Sequence, residues 1–162
     1  MSQHHTVTAL VQNEAGTINR LVSMFRRRGI SLASFNAGDC EQDGYSRLTL
    51  VVQGDQAILN STLKQLKKLI DVVEVEDLES NHSLSRELAL IRVDCKEEDR
   101  TAVYNLVNEF YAKTPRSTTQ SIFVEYTGAT AEIERLISLL TPFGIREIVR
   151  TGVVAISTNL DN

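Results

Sequence analysis

Residues 12–29 read QNEAGTINRLVSMFRRRG, and this stretch decides the fold. Its apolar residues Ile18, Leu21, Val22 and Phe25 fall at i, i+3, i+4 and i+7, the spacing of one helix face. Gly29 stands where a helix needs left-handed backbone to stop. The spacing therefore predicts a helix over Thr17–Arg28. Thr6–Gln12, just before it, reads as a strand, so the quoted residues span a strand-to-helix junction.

The same helical spacing recurs three times. It predicts Asp55–Ile70 (Leu59, Leu63, Leu66, Ile70), Glu98–Tyr111 (Val103, Leu106, Val107, Phe110) and Ala129–Thr141 (Ile133, Leu136, Ile137, Leu140), the last stopped by Pro142. Each helix has one apolar stripe and so covers one surface. Period-two segments lie between them. Leu48, Leu50 and Val52 alternate with Arg47, Thr49 and Gln53, and Ala89, Ile91, Val93 and Cys95 alternate with Leu88, Leu90, Arg92 and Asp94. Ile30–Asn36, Val72–Leu78, Ser121–Tyr126 and Arg146–Ser157 are further strands, and Asp43-Gly44 marks a hairpin turn. The polar, proline-bearing stretch Ala112–Gln120 lacks alternation, and a short strand is placed near 117–120.

The order β-α-β-β-α-β thus occurs twice, divided by the polar linker Glu79–Ser85. The fold class is α+β: two ferredoxin-like βαββαβ domains in tandem, over residues 1–79 and 80–162. Domains of this size bury only about 60% of the surface of the unfolded chain, so each is marginal alone. Two helices cover one sheet face only. The other, with Thr6, Thr8, Thr49 and Val51, is expected to be bare, and such a sheet invites a second copy, so a homodimer is expected.

Charge narrows the function. The net charge of −4 divides evenly, with 8 basic and 10 acidic residues up to Glu79 and 9 and 11 beyond it. No basic arm is available for phosphate backbones, which argues against a nucleic-acid binder. No apolar run approaches the ~18–20 residues of a membrane span, and the opening five residues carry no Lys or Arg, so no membrane partner and a cytoplasmic location are expected. Arg26–Arg28 fill a last helical turn, where cations suit the dipole. Cys40 and Cys95 stand alone and read as free thiols. His4, His5 and His82 are the only histidines, and no phosphate-loop or dinucleotide motif occurs, so no catalytic residues and no metal site are expected.

The junction Gln12–Thr17 is the feature with ligand chemistry. A glycine there allows close backbone approach, the first N–H groups of the helix can hold a carboxylate, and Asn13 adds an amide with both donor and acceptor. A plain helix cap is the competing reading. Arg20, one turn in, could add charge.

From Val11 to Gly29 the chain resembles the opening of an ACT domain, and most closely that of the acetolactate synthase small-subunit family, with its Leu-x-Asn-x-x-Gly-x-Leu/Ile-x-Arg and Phe-x-x-Arg-Gly patterns. The resemblance continues through Ser46–Thr49, Gln65–Val72 and Arg86–Val93 and ends with Val149–Ser157. It implies a subunit that is not itself catalytic and binds no cofactor. The catalytic large subunit it partners would carry thiamine diphosphate, Mg and FAD. The small subunit would activate that partner and confer feedback inhibition by a branched-chain amino acid, most often valine, in valine, leucine and isoleucine synthesis. The resemblance also implies that the effector lies between the ACT domains of two chains. Carried onto this sequence, one side is Asn13, Glu14, Ala15, Gly16, Thr17 and Ile18, and the other is Ser31 and Leu32. The family usually has an aromatic residue, Asn and Ile after Arg-Gly, whereas here Ile30, Ser31 and Leu32 follow, so an amide that reaches the effector is replaced by a shorter hydroxyl. A stand-alone tandem-ACT amino-acid sensor and a small ferredoxin-like enzyme are the alternatives.

Overall fold

A computed structural model describes residues 3–78 and 82–159. The elements are β1 (His4–Gln12), α1 (Thr17–Arg28), β2 (Ser31–Asp39), β3 (Tyr45–Gln53), α2 (Gln56–Leu66), β4 (Val72–Leu78), β5 (Ser83–Val93), α3 (Arg100–Glu109), β6 (Lys113–Ser117), β7 (Ile122–Gly128), α4 (Thr130–Leu140), β8 (Ile145–Arg150) and β9 (Val154–Ser157). The doubled β-α-β-β-α-β order is present. Residues 79–81 of the expected linker lie outside the described residues.

In the first unit the strands are ordered β2-β3-β1-β4, all antiparallel. This is the ferredoxin-like arrangement, with α1 and α2 on one face. Val7, Ala9 and Val11 of β1 and Leu48, Leu50 and Val52 of β3 meet Leu21, Met24 and Phe25 of α1 and Leu59 and Leu66 of α2. The helix α1 has its expected bounds, but its buried stripe is rotated. Thr17 and Met24 are buried with Leu21 and Phe25, while Ile18 and Val22 are 43% and 49% exposed. Spacing alone admits either set of neighbours; the sheet beneath selects the one that points inward. The helix α2 ends at Leu66, four residues before the expected Ile70, which is exposed.

The second unit repeats the order as β6-β7-β5-β8. Ile91 and Val93 of β5 and Ile122 and Val124 of β7 pack on Val103 and Val107 of α3 and on Ile133, Leu136 and Leu140 of α4. Phe110 meets Tyr126 edge to face at 5.8 Å. Glu87 on β5 is buried and accepts a forked pair from Arg150 on β8, Nε to Oε1 at 2.7 Å and Nη2 to Oε2 at 2.9 Å. Thr130 donates to the same carboxylate at 3.2 Å, and Arg150 also reaches Glu134. The expected strand near 117–120 instead occupies Lys113–Ser117. Pro115 sits within it, and the register with β7 shifts between Lys113 and Arg116, a placement an edge strand tolerates.

The chain does not divide at residue 79. One compact unit comprises residues 1–85 with 152–162, and the other residues 86–151. Arg146–Ser157 is two strands rather than one, because Gly152 takes φ +76° and breaks it. Beyond that turn the chain lies on the first unit's sheet. Asn36 donates through Nδ2 to the Val153 carbonyl at 2.9 Å, the Ala155 N–H donates to Thr49 Oγ1 at 3.4 Å, and the Thr158 N–H donates to the His82 carbonyl at 2.8 Å. The face expected to be bare is thus partly roofed, with Thr8, Thr49 and Val51 all below 8% exposure. A Cβ at position 152 would stand 2.5 Å from Ser34 Cβ. Gly152→Ala should therefore loosen this strap, raising amide exchange at Ala155 by at least about 10-fold, since left-handed strain alone costs ~1–2 kcal/mol. Unchanged protection in an NMR exchange experiment would refute that role for Gly152.

Candidate effector site at the first helix

The strand β1 ends in a loop tied down on both sides. The Gln12 N–H donates to the Asp71 carbonyl and the Asn13 N–H to the Gly44 carbonyl, each at 2.8 Å. The chain then turns through Gly16, at φ +93° and ψ −8°, and enters α1 with no side chain capping it. The Thr17 N–H is taken by the Glu14 carbonyl at 3.2 Å. The next N–H groups of the first turn have no intrahelical acceptor, as at every helix start, and point out of the fold beside exposed Asn13–Gly16. With no cap and no acidic residue in that turn, the free N–H groups suit a carboxylate.

Asp71 is the residue the sequence reading missed. It is buried at the base of the loop and pairs with Arg20 across 51 positions of chain. Arg20 Nη2 also lies 3.4 Å from Thr17 Oγ1. The Asp71 carboxylate holds the Arg20 guanidinium above its ordinary basicity. Its signal in the sequence was a single acid ending the basic run Lys64–Asp71, which spacing could not connect to Arg20.

Asn13, Glu14, Ala15, Gly16, Thr17 and Ile18 are therefore brought together, with Thr17 buried beneath the others and Ile18 exposed beside them. Ser31 and Leu32 are not with them. Register fixes the separation: Gln12 opposes Tyr45 at one end of β3, while Ser31 opposes Gln53 at the other. Eight residues of extended chain place the two sets about 27 Å apart in one molecule. Leu32 also turns its side chain onto the core, which leaves its backbone and the exposed Ser31 to meet anything outside. The strand carrying them, β2, is an edge of the sheet.

Other chemistry does not converge. Among the described residues no group of three or more His, Cys, Asp or Glu side chains is placed to hold a metal ion. Both cysteines are free, and burial pushes the Cys95 thiol up. Among the described residues no helix is long and apolar enough to cross a membrane.

Comparison with known proteins matches each half separately. Residues 7–74 match a family described as an AHAS small subunit-like ACT domain, and residues 86–159 match one described as the small subunit of acetolactate synthase. A small subunit of acetolactate synthase from Mycolicibacterium smegmatis is 40% identical over 94% of this chain and 90% of its own length. A probable one from Archaeoglobus fulgidus is 38% identical over 93% and 94%. The crystal structure of the acetolactate synthase small subunit from Thermotoga maritima superposes with a TM-score of 0.89 at 34% identity, covering 96% of this chain and 97% of that one.

Proposed function

The chain belongs to the family of acetolactate synthase small subunits, and from that premise we propose that it regulates, without itself catalysing, the large subunit such a subunit implies. In this reading it raises acetolactate formation and confers inhibition by a branched-chain amino acid, valine foremost. The work takes place in the cytoplasm, on the valine, leucine and isoleucine route. Thiamine diphosphate, Mg and FAD belong to the large subunit.

The observation carrying the effector reading is the uncapped start of α1 behind Gly16, a cradle for a carboxylate with exposed Ile18 beside it for an aliphatic side chain. The separation of Ser31 from this loop supports a site shared by two chains. A two-fold pairing that sets one β2 edge against its partner brings each loop to the other chain's strand start. Ile18 and Val22, exposed on the flank of α1, provide apolar area for that contact. The effector then acts as interfacial glue, and its coupling to the large subunit need amount to only ~1–3 kcal/mol.

The test is acetolactate formation by the large subunit from the same genome, with and without this chain, and then with valine, leucine or isoleucine. Activation followed by inhibition is expected. Failure to activate would leave the stand-alone sensor reading. Ser31 gives a prediction of opposite sign to most mutations. Ser31→Asn should tighten effector binding about fivefold by calorimetry, because an amide offers one more hydrogen bond, worth ~1 kcal/mol. Equal or weaker binding would place Ser31 outside the site.

A further inference from the structure

The two flanks of α1 differ. At 100° per residue, Ile18 and Val22 share one side of the buried stripe, while Arg20, Ser23 and Arg27 share the other. On that second side a groove runs between α1 and the end of α2. Its first section, of about 440 Å³, begins at Gly16 and is lined by Asn19, Arg20, Ser23, Arg27 and Leu69. The next, of about 360 Å³, continues past Arg27 and Leu69 to Arg28, Lys68 and Gln65, with Met24 as floor.

Four cations line this channel and no acidic side chain does. Arg20 is paired with Asp71. Arg27, Arg28 and Lys68 are exposed, and none takes part in an ion pair among the described residues. In a chain of net charge −4, three unpaired cations facing one groove are a local reversal of sign. The helix macrodipole favours cations at the ends of both α1 and α2, and the fold sets those two ends side by side, so their cations gather along one trough.

We infer that this groove is the docking surface for an acidic, extended segment of the large subunit; the inference rests on the regulatory-subunit reading above. A compact phosphate ligand fits less well. In the section where Arg27, Arg28 and Lys68 gather, the backbone at the C-terminal ends of α1 and α2 presents carbonyls rather than N–H groups, and the floor is the apolar pair Met24 and Leu69. A peptide supplies carboxylates for the rim and aliphatic carbons for the floor. About 18 Å of α1, from Gly16 to Arg28, holds five or six extended residues. The groove lies on the flank opposite Ile18 and Val22, so pairing of two copies through β2 leaves it open. Because it starts at Gly16 and Arg20, an effector seated on the loop touches the end of the docked segment. That contiguity gives the effector a direct physical route to the large subunit.

The test uses the full chain and the purified large subunit, with complex affinity measured at ~50 and ~300 mM salt. For Arg27→Glu/Arg28→Glu/Lys68→Glu, affinity at low salt should fall about 30-fold and the salt dependence should flatten. Ser23→Glu, which adds one acid without removing a cation, should weaken binding about fivefold. Arg27→Lys/Arg28→Lys should bind close to wild type. Valine binding by each variant, measured without the large subunit, verifies the fold. Undiminished affinity in the triple variant, with wild type binding tightly, would overturn the docking surface alone. Saturable ADP binding that the triple variant loses, with affinity for the large subunit unchanged, would assign the groove to a phosphate instead. No binding by the wild-type chain would overturn the regulatory reading itself.

Discussion

Gly16→Asp is expected to abolish valine inhibition while activation of the large subunit persists. Three effects act together at this position. A side chain at φ +93° strains the turn by ~1–2 kcal/mol. Its Cβ would stand 3.2 Å from Arg20 Nη1, so the new carboxylate has Arg20 within reach and draws it from Asp71. Finally, the new charge occupies the field of the free N–H groups and repels the effector's own carboxylate. Together these should raise the half-inhibiting valine concentration at least about 100-fold, the equivalent of ~2.7 kcal/mol. Gly29→Asp is the matched control. It carries comparable backbone strain at φ +63° with open space around it and no ligand groups, and should leave inhibition within about twofold. Inhibition of the Gly16 variant at wild-type concentrations would remove the loop from the effector site.

The second large effect concerns stability. Glu87→Ala should destabilise the second unit by ~2–3 kcal/mol, because it removes the forked partner of part-buried Arg150, which keeps only Glu134, and leaves a void where the buried carboxylate stood. For a unit of this size that corresponds to a fall of roughly 10 °C or more in its melting midpoint by calorimetry. Glu87→Met/Arg150→Met, which removes both charges, should recover most of the loss. A double variant as unstable as the single one would show that packing, not the stranded charge, sets the cost. The carboxylates of Glu87 and Glu134 raise the basicity of Arg150. A raised value means that this contribution is complete below the unfolded-state pKa and lost only above it. Arg150 deprotonation should therefore add no pH dependence to unfolding between pH 6 and 10.

How legible these features were in the sequence follows from the range of the forces that set them. Local signals worked well. Gly29 ended α1 at the expected residue, Asp43-Gly44 turned the hairpin, and the apolar rows of β3 and β5 pointed inward as their alternation indicated. The Gly16 loop stands out in the sequence as a candidate because its chemistry is carried by adjacent residues. Features decided by distant contacts were not found. Which flank of α1 faces inward depends on the sheet beneath it, so Ile18 and Val22 were placed in a core they do not enter. Asp71 meets Arg20 only through the fold. The end of β8 was hidden because Val149–Ile156 is a good strand sequence on both sides of Gly152, and nothing in its hydropathy indicates that the second part, still paired with β5, also lies against the first unit's sheet.

The strap has a consequence for synthesis. The second unit, residues 86–151, is continuous in sequence and can close as soon as it has left the ribosome. The first unit cannot, because its outer sheet face waits for residues 152–159. Until those arrive, Thr8, Thr49 and Val51 face solvent on a sheet with open edges, the kind of surface on which nascent chains associate wrongly. The amino-terminal unit, translated first, is therefore the last to be completed.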